Sequence, residues 1–196
     1  MAIIEDQHYI NLILNGNQNA FATLVDRYKN MVFTLALKMV AHREEAEEIA
    51  QDTFIKIYNS LSKFKGESKF STWVYKITYN TCLDYLKKNK KEKKVAYIED
   101  FSEHQTKELE SILETIDEKE RNQVIQNCLE ELPNDEAFLL TLYYFDDQSV
   151  DEISKVMNNT VSNIKVKLFR TRKKLASILK SRLEPEILDY YESERR

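Results

Sequence analysis

Two glycines and two prolines in 196 residues leave this chain almost without the residues that make tight turns. Average usage would supply roughly 7% glycine and 5% proline. Sandwiches and barrels need a turn every few residues, and those turns lean on glycine for positive φ and on proline for a preset φ. The shortage argues against a β architecture and against a glycine-rich phosphate loop, and predicts a chain that is almost all helix. A hydrophobic content of 42% is enough for a core. The length allows one domain or two small ones, since domains hold about 100–200 residues.

No apolar run approaches the ~18 residues that would cross a bilayer, so no membrane insertion is expected. The start, MAIIEDQHYI, carries acids where a secretory signal would carry Lys or Arg, which predicts a cytoplasmic protein. Cys82 and Cys128 have no CxxC or Cys/His spacing around them and read as buried free thiols rather than metal ligands or a disulfide framework. His8, His42 and His104 are scattered, so the sequence offers no catalytic or metal-binding set, and no cofactor is expected.

The net charge of −4 conceals a segregation by sign. Residues 60–94 hold ten lysines against Glu67, Asp84 and Glu92, and residues 95–120 hold nine acids against Lys107 and Lys119. Eight acids without a base follow in 129–152, then nine bases without an acid in 153–183. Two separate basic surfaces fit two contacts with a polyanion, although a charge run also serves as a solvated face.

Apolar spacing locates the helices. Ala20, Phe21, Leu24, Val25, Tyr28, Val32, Leu35, Ala36 and Met39 recur every three to four residues, the pattern of one buried stripe. Ala46, Ile49, Ala50, Thr53, Phe54, Ile57 and Tyr58 keep the same rhythm. Glu44, Glu45, Glu47 and Glu48 crowd that helix's first turns, where the dipole favours acids. A third helix is expected from Ser71, with its hydroxyl as cap, to Lys88. Residues 95–119 read as an acidic linker. Beyond it a short helix containing Val124, Ile125, Cys128, Leu129 and Leu132 stops at Pro133, and Asn134 is expected to cap the next. Ser149 with Glu152 predicts a capping box on "VDEISKVM". Asn158 predicts a left-handed stop, and Thr160 a cap for the long basic helix that buries Val161, Ile164, Leu168, Leu175 and Ile178. Short helix, short turn and longer basic helix match helix-turn-helix geometry.

Two helices carry candidate recognition chemistry. The basic helix keeps Ser162, Asn163, Lys165, Val166, Lys167, Arg170 and Lys174 off its apolar face. Ser and Asn could reach base edges, Val166 a thymine methyl, and the cations phosphate; a solvated basic helix is the bland alternative. The helix "STWVYKITYNTCLDYLKK" combines Trp73, Tyr75 and Tyr79 with Lys76, Asn80, Lys87 and Lys88. Its Trp73, Val74, Ile77 and Thr81 read as core, and Tyr75 and Tyr79 lie on another side. Aromatic faces beside lysine suit unstacked bases, whose stacking contributes roughly 1–3 kcal/mol each; half-buried packing is the alternative. The four-glutamate cluster reads as a solvated helix start or a docking surface.

"GNQNAFATLVDRYKNMVFTLALKM", "REEAEEIAQDTFIKIYNSLSKFKGESKFSTWVYKITYNTCLDYLKK" and "LPNDEAFLLTLYYFDDQSVDEISKVMNNTVSNIKVKLFRTRKKL" resemble, in order, the two conserved regions of the bacterial extracytoplasmic-function (ECF) sigma factors of RNA polymerase. The resemblance covers 5–94 and 122–180. It implies two small all-α domains on a flexible linker, the second a helix-turn-helix, with no catalysis of their own. The divisions it implies are 1–94 for polymerase binding and the minus-ten element, 95–119 for the linker, 120–183 for the minus-thirty-five element, and 184–196 for the tail. The implied partners are core RNA polymerase, promoter DNA as duplex and melted strand, and an anti-sigma factor. By position, Glu48, Gln51, Asp52 and Ile55 resemble the face that docks on polymerase. Residues 65–70, including Lys65, Lys69 and Phe70, resemble the loop that captures a flipped minus-ten base. Trp73, Lys76, Tyr79 and Asn80 resemble the helix that opens the duplex, and Ser162, Asn163, Lys165, Val166, Lys167 and Arg170 fall on the minus-thirty-five helix. Asn163-Ile164-Lys165-Val166-Lys167 stands where the family usually has Thr-Val-Lys-Ser-Arg, so its base preference does not carry over. Tyr79 stands where the family usually has a small residue. The rival readings are a stand-alone helix-turn-helix regulator with an N-terminal sensor, and a helical adaptor that never meets DNA. A base-stacking surface would discriminate, because a duplex-only regulator has no use for one.

Overall fold

The computed structural model describes residues 5–89 and 125–182, and every regular element among them is helical. The expected acidic linker, Val124 and the tail 184–196 lie outside the described residues. Both glycines sit where the backbone needs positive φ, Gly16 at 97° and Gly66 at 73°. Gly16 follows α1 (Asp6–Leu14), a helix the sequence reading did not single out. Its N–H donates to Ile13 O and that of Asn17 to Leu12 O, the paired bonds of a Schellman stop, which an L side chain at Gly16 would strain.

The first unit gathers α1, α2 (Ala20–Val40), α3 (Arg43–Ser60), a 3₁₀ turn (Leu61–Lys63) and α4 (Phe70–Lys88). Ile10 and Ile13 bring α1 onto the core with Leu24, Tyr28, Val32, Ile57, Leu61, Phe70 and Val74. Asp6 fastens its start by accepting from the Arg27 guanidinium and the Tyr28 hydroxyl. Burial and the Asp6 carboxylate push the Tyr28 phenol's pKa up, so it remains a donor. The α2 and α3 stripes are buried largely as their spacing predicts, and Ala41 turns the chain between them at φ 61°. Helix α4 starts one residue before Ser71, with Lys69 extended at ψ 144° in the cap position, and no side chain caps it. Ser71 therefore stands inside the first turn rather than capping it. The buried Thr78 and Thr81 hydroxyls donate to the carbonyls of Val74 and Ile77, which satisfies them without a partner from another helix.

Residues 148–160 belong to this same unit. Within them Ser149 caps α6 (Val150–Val156) with the capping box that the sequence predicts, and Asn158 is left-handed at φ 51°. A seven-residue helix is too short to hold itself together in water; Ile153 and Val156 are fully buried and α6 packs on α4. The span 120–183 expected from sequence thus divides by packing, 148–160 going with the first unit and the rest of its described residues with the second.

In the second unit residues 125–129 are helical, with Cys128 and Leu129 buried. Next comes α5 (Asn134–Tyr144), with six consecutive buried residues, 137–142. A helix buried on all sides is the centre of its domain rather than an amphipathic cover. Asn134 is its first helical residue and makes no side-chain cap; Pro133 stands in the cap position and its carbonyl accepts from the Glu136 and Ala137 N–H groups. Against α5 lies α7 (Val161–Arg182), burying Ile164, Leu168, Thr171, Leu175 and Leu179.

Candidate protein and nucleic-acid interfaces

Glu48, Gln51, Asp52 and Ile55 recur at the spacing of one face of α3, and all four are exposed. Tyr58 continues that line, although its place in the apolar rhythm had suggested an inward position. Ile55 is 58% exposed and Tyr58 37%, the Tyr58 ring meeting Phe21 edge-on at 5.0 Å. Two large apolar side chains are thus held in water beside an acidic row. Covering such surface contributes about 25 cal/mol per Å², so the face gains from a partner. At its flanks Arg43 pairs with Glu47 at 3.0 Å and Lys56 with Asp84 at 3.2 Å.

The stretch from the 3₁₀ turn through α4 divides the expected minus-ten residues into two groups. Lys65, Lys69, Asn80, Lys87 and Lys88 are exposed, while Trp73 and Lys76 are half-buried. Phe70 and Tyr79 are buried. Phe70 joins an aromatic cluster, its ring 5.6 Å from Tyr28, 5.3 Å from Phe64 and 5.6 Å from Trp73. Tyr75 is buried as well. The side of α4 read as an open stacking face is therefore largely covered. The cause is packing: α4 meets α2, α3 and α6, which leaves little of its circumference to solvent. Trp73, read as core, keeps a partly open edge.

Lys69 Nζ lies 2.9 Å from Glu152 Oε1. Glu152 also accepts from the Ser149 N–H at 2.9 Å and the Ser149 hydroxyl at 2.8 Å. The Ser149 N–H, then Lys69 and the Ser149 hydroxyl, hold the Glu152 carboxyl down at about 2.

On α7 the expected DNA-facing residues also separate. Ser162, Asn163, Lys165, Val166 and Arg170 are exposed, with Val166 at 48%. Lys167 and Lys174 are half-buried and pair with Asp135 and Glu136 of α5. Arg172 lies over the Tyr143 and Tyr144 rings, 5.8 and 5.9 Å from their centroids. Asp135 and Glu136 were legible only as part of an acidic block, because nothing local indicates which lysines they meet. Among the described residues no cluster of His, Cys, Asp or Glu could hold a metal ion, and no helix is long and apolar enough to cross a membrane.

Residues 24–92 match the Sigma-70 region 2 family and residues 122–175 the Sigma-70, region 4 family. The chain is 31% identical over 177 residues to the ECF RNA polymerase sigma factor SigW of Bacillus subtilis (strain 168), covering 87% of this chain and 95% of that protein. It is 30% identical over 175 residues to the ECF RNA polymerase sigma-E factor of Escherichia coli (strain K12), covering 86% and 91%. Its fold is similar to that of CnrH, solved in complex with the cytosolic domain of CnrY, with a TM-score of 0.59 at 21% identity over 91% of this chain and 99% of that one. It is also similar to RpoE from Bartonella quintana, solved with the anti-sigma factor NepR, with a TM-score of 0.60 at 16% identity over 83% and 98%. Two regions in the family's order, and relatives spanning almost their whole length, establish that this chain belongs to the ECF sigma factors of the sigma-70 family.

Proposed function

We propose that this chain, an alternative sigma factor directing promoter-specific transcription, works in the cytoplasm by docking on core RNA polymerase through the outer face of α3. The carrying observation is Ile55 and Tyr58, exposed beside Glu48, Gln51 and Asp52, an apolar and acidic surface whose burial a large basic partner would reward. Residues 1–94 then hold polymerase and meet the minus-ten element, 95–119 link, 120–183 read the minus-thirty-five element, and 184–196 form a tail. In the minus-ten contact Lys65, Lys69, Lys87 and Lys88 neutralise phosphate, while Trp73, Lys76 and Asn80 meet the opened strand. Phe70 and Tyr79 support that surface from beneath. On α7, Ser162, Asn163, Lys165, Val166 and Arg170 face the minus-thirty-five duplex, polar groups towards base edges and cations towards phosphate. A sigma factor supplies recognition while polymerase supplies catalysis, so no chemistry is asked of this chain's own carboxylates. The α3 face is also a natural target for an anti-sigma factor, since covering it would withhold the chain from polymerase; CnrH and RpoE, similar in fold, were both solved in complex with other proteins.

The test mixes the protein with core polymerase and genomic fragments and maps the 5′ ends of the transcripts. Start sites that share two spaced boxes and require the added protein are expected. Unchanged start sites with and without it would refute the reading.

A further inference from the structure

Lys167 and Lys174 stand seven residues apart on α7, about two turns, and so share a side of the helix. Each meets a carboxylate from the first turn of α5. Lys167 Nζ donates to Asp135 Oδ2, and Lys174 Nζ donates to Oε1 and Oε2 of Glu136 at 2.7 and 3.0 Å. The two lysine side chains are 27% and 29% exposed, and Glu136 is only 13% exposed.

A lysine that serves DNA keeps its ammonium on an open surface, where it displaces counterions from phosphate. These two are turned the other way. Removing Lys174 from Glu136 to reach a phosphate would leave a largely buried carboxylate uncompensated, and Asp135 and Glu136 would themselves repel an approaching phosphate. At the far end of α5, Tyr143 and Tyr144 take the Arg172 guanidinium across their faces. Helix α7 is thus attached to both ends of α5, and adjacent carboxylates gripping lysines two turns apart oppose its roll as well as its slide.

We propose that Lys167 and Lys174 are positioning residues. With Asp135 and Glu136 they fix the rotation of α7 on α5, so that Ser162, Asn163, Lys165, Val166 and Arg170 present one set of groups to the bases. This rests on the reading of α7 as the minus-thirty-five helix.

The test uses the full chain with core polymerase on promoter fragments, with affinity measured across a range of salt. The variants are Lys174→Glu; the exchanged pair Glu136→Lys with Lys174→Glu; the neutral pair Glu136→Gln with Lys174→Met; and Arg170→Ala for comparison. Lys174→Glu should lose affinity tenfold or more, and the exchanged pair should recover most of it. The neutral pair should keep the salt slope of the unaltered protein yet discriminate less between the cognate box and single-base changes. Arg170→Ala should lower the slope by about one or relax one position. If the neutral pair itself lowers the slope by about one, Lys174 holds phosphate and the proposal falls. Should the exchanged pair fail to fold by circular dichroism, the neutral pair decides alone. A holoenzyme whose binding ignores a scrambled minus-thirty-five box overturns the reading of α7 itself, an outcome seen in the unaltered protein and separate from the behaviour of the lysine variants.

Discussion

Ser149 and Glu152 close a reciprocal cap on α6: the Ser149 hydroxyl accepts from the Glu152 N–H at 3.2 Å, and the Glu152 carboxylate accepts from the Ser149 N–H at 2.9 Å. Ser149→Ala is expected to cost about 0.5–2 kcal/mol of stability, measured by denaturant titration. The pH dependence has a definite sign. The Glu152 carboxyl ionises at about 2 in the fold against an ordinary 4.5, so its contribution is full above about 4.5 and is lost as pH falls towards 2. The stability gap between the protein and its Glu152→Gln variant should shrink across that window. Ser149→Ala keeps the Ser149 N–H, the main group holding that carboxyl down, and Lys69 is mostly exposed, so neither Ser149→Ala nor Lys69→Ala should close the gap on its own. A gap constant with pH would mean that the Glu152 carboxylate does not stabilise the fold through its charge.

Docking through α3 predicts a loss of binding without a loss of fold. Gln51→Ala with Asp52→Ala, or Ile55→Glu alone, should weaken retention on core polymerase by on the order of 1–3 kcal/mol, roughly fivefold to a hundredfold. All three side chains are exposed, so helicity by circular dichroism should not change. Unaltered retention would place the docking face elsewhere.

Features set by a few neighbouring residues were legible in the sequence. The Ser149–Glu152 box and left-handed Asn158 are fixed by bonds and backbone conformation within one turn, and the α2 and α3 stripes by a single buried side each. Residue type alone makes Ser71 and Asn134 caps, but Lys69 and Pro133 hold the cap positions, two residues and one residue earlier, without a side-chain bond. The stacking face of α4 was misread because a stripe argument assumes one packed side, whereas α4 is covered by three helices. The partners of Lys167 and Lys174 lie 32 and 38 residues away, a choice made by helix packing rather than by local pattern.

The aromatic cluster gives a prediction for the buried side of α4. Phe70→Ala removes a ring that touches Tyr28, Phe64 and Trp73, and is expected to cost about 3–5 kcal/mol. Phe70→Leu should cost less, since most of the volume is kept. Thermal denaturation distinguishes this from a surface role, in which both variants would melt like the unaltered protein.

Cys82 is buried, and that burial pushes its thiol up to about 12. A thiol that resists ionising is a poor nucleophile, so an alkylating reagent at neutral pH should modify it only as fast as the unit opens. Labelling should accelerate in parallel with denaturant-induced unfolding. Prompt labelling of the folded protein would show that this part of α4 opens far more readily than its packing implies.

Strand opening should depend on the exposed members of the minus-ten surface and not on its buried ones. Lys65 and Asn80 are open to solvent, Trp73 is half-buried against Phe64 and Phe70, and Tyr79 is buried. A flipped base loses a few kcal/mol of stacking and pairing, which must be offset by groups it can reach. Lys65→Ala with Asn80→Ala should therefore keep polymerase binding and duplex engagement but reduce permanganate reactivity of thymines in the minus-ten region. A template with a pre-melted bubble should restore the signal. Trp73→Phe retains an aromatic packing group and should lower reactivity only if the open edge of the indole stacks on a base. Tyr79→Phe keeps the ring in place and should leave reactivity unchanged. Full reactivity with the folded Lys65 and Asn80 double variant would assign opening to other residues, and loss of reactivity in Tyr79→Phe would mean that its hydroxyl takes part despite burial.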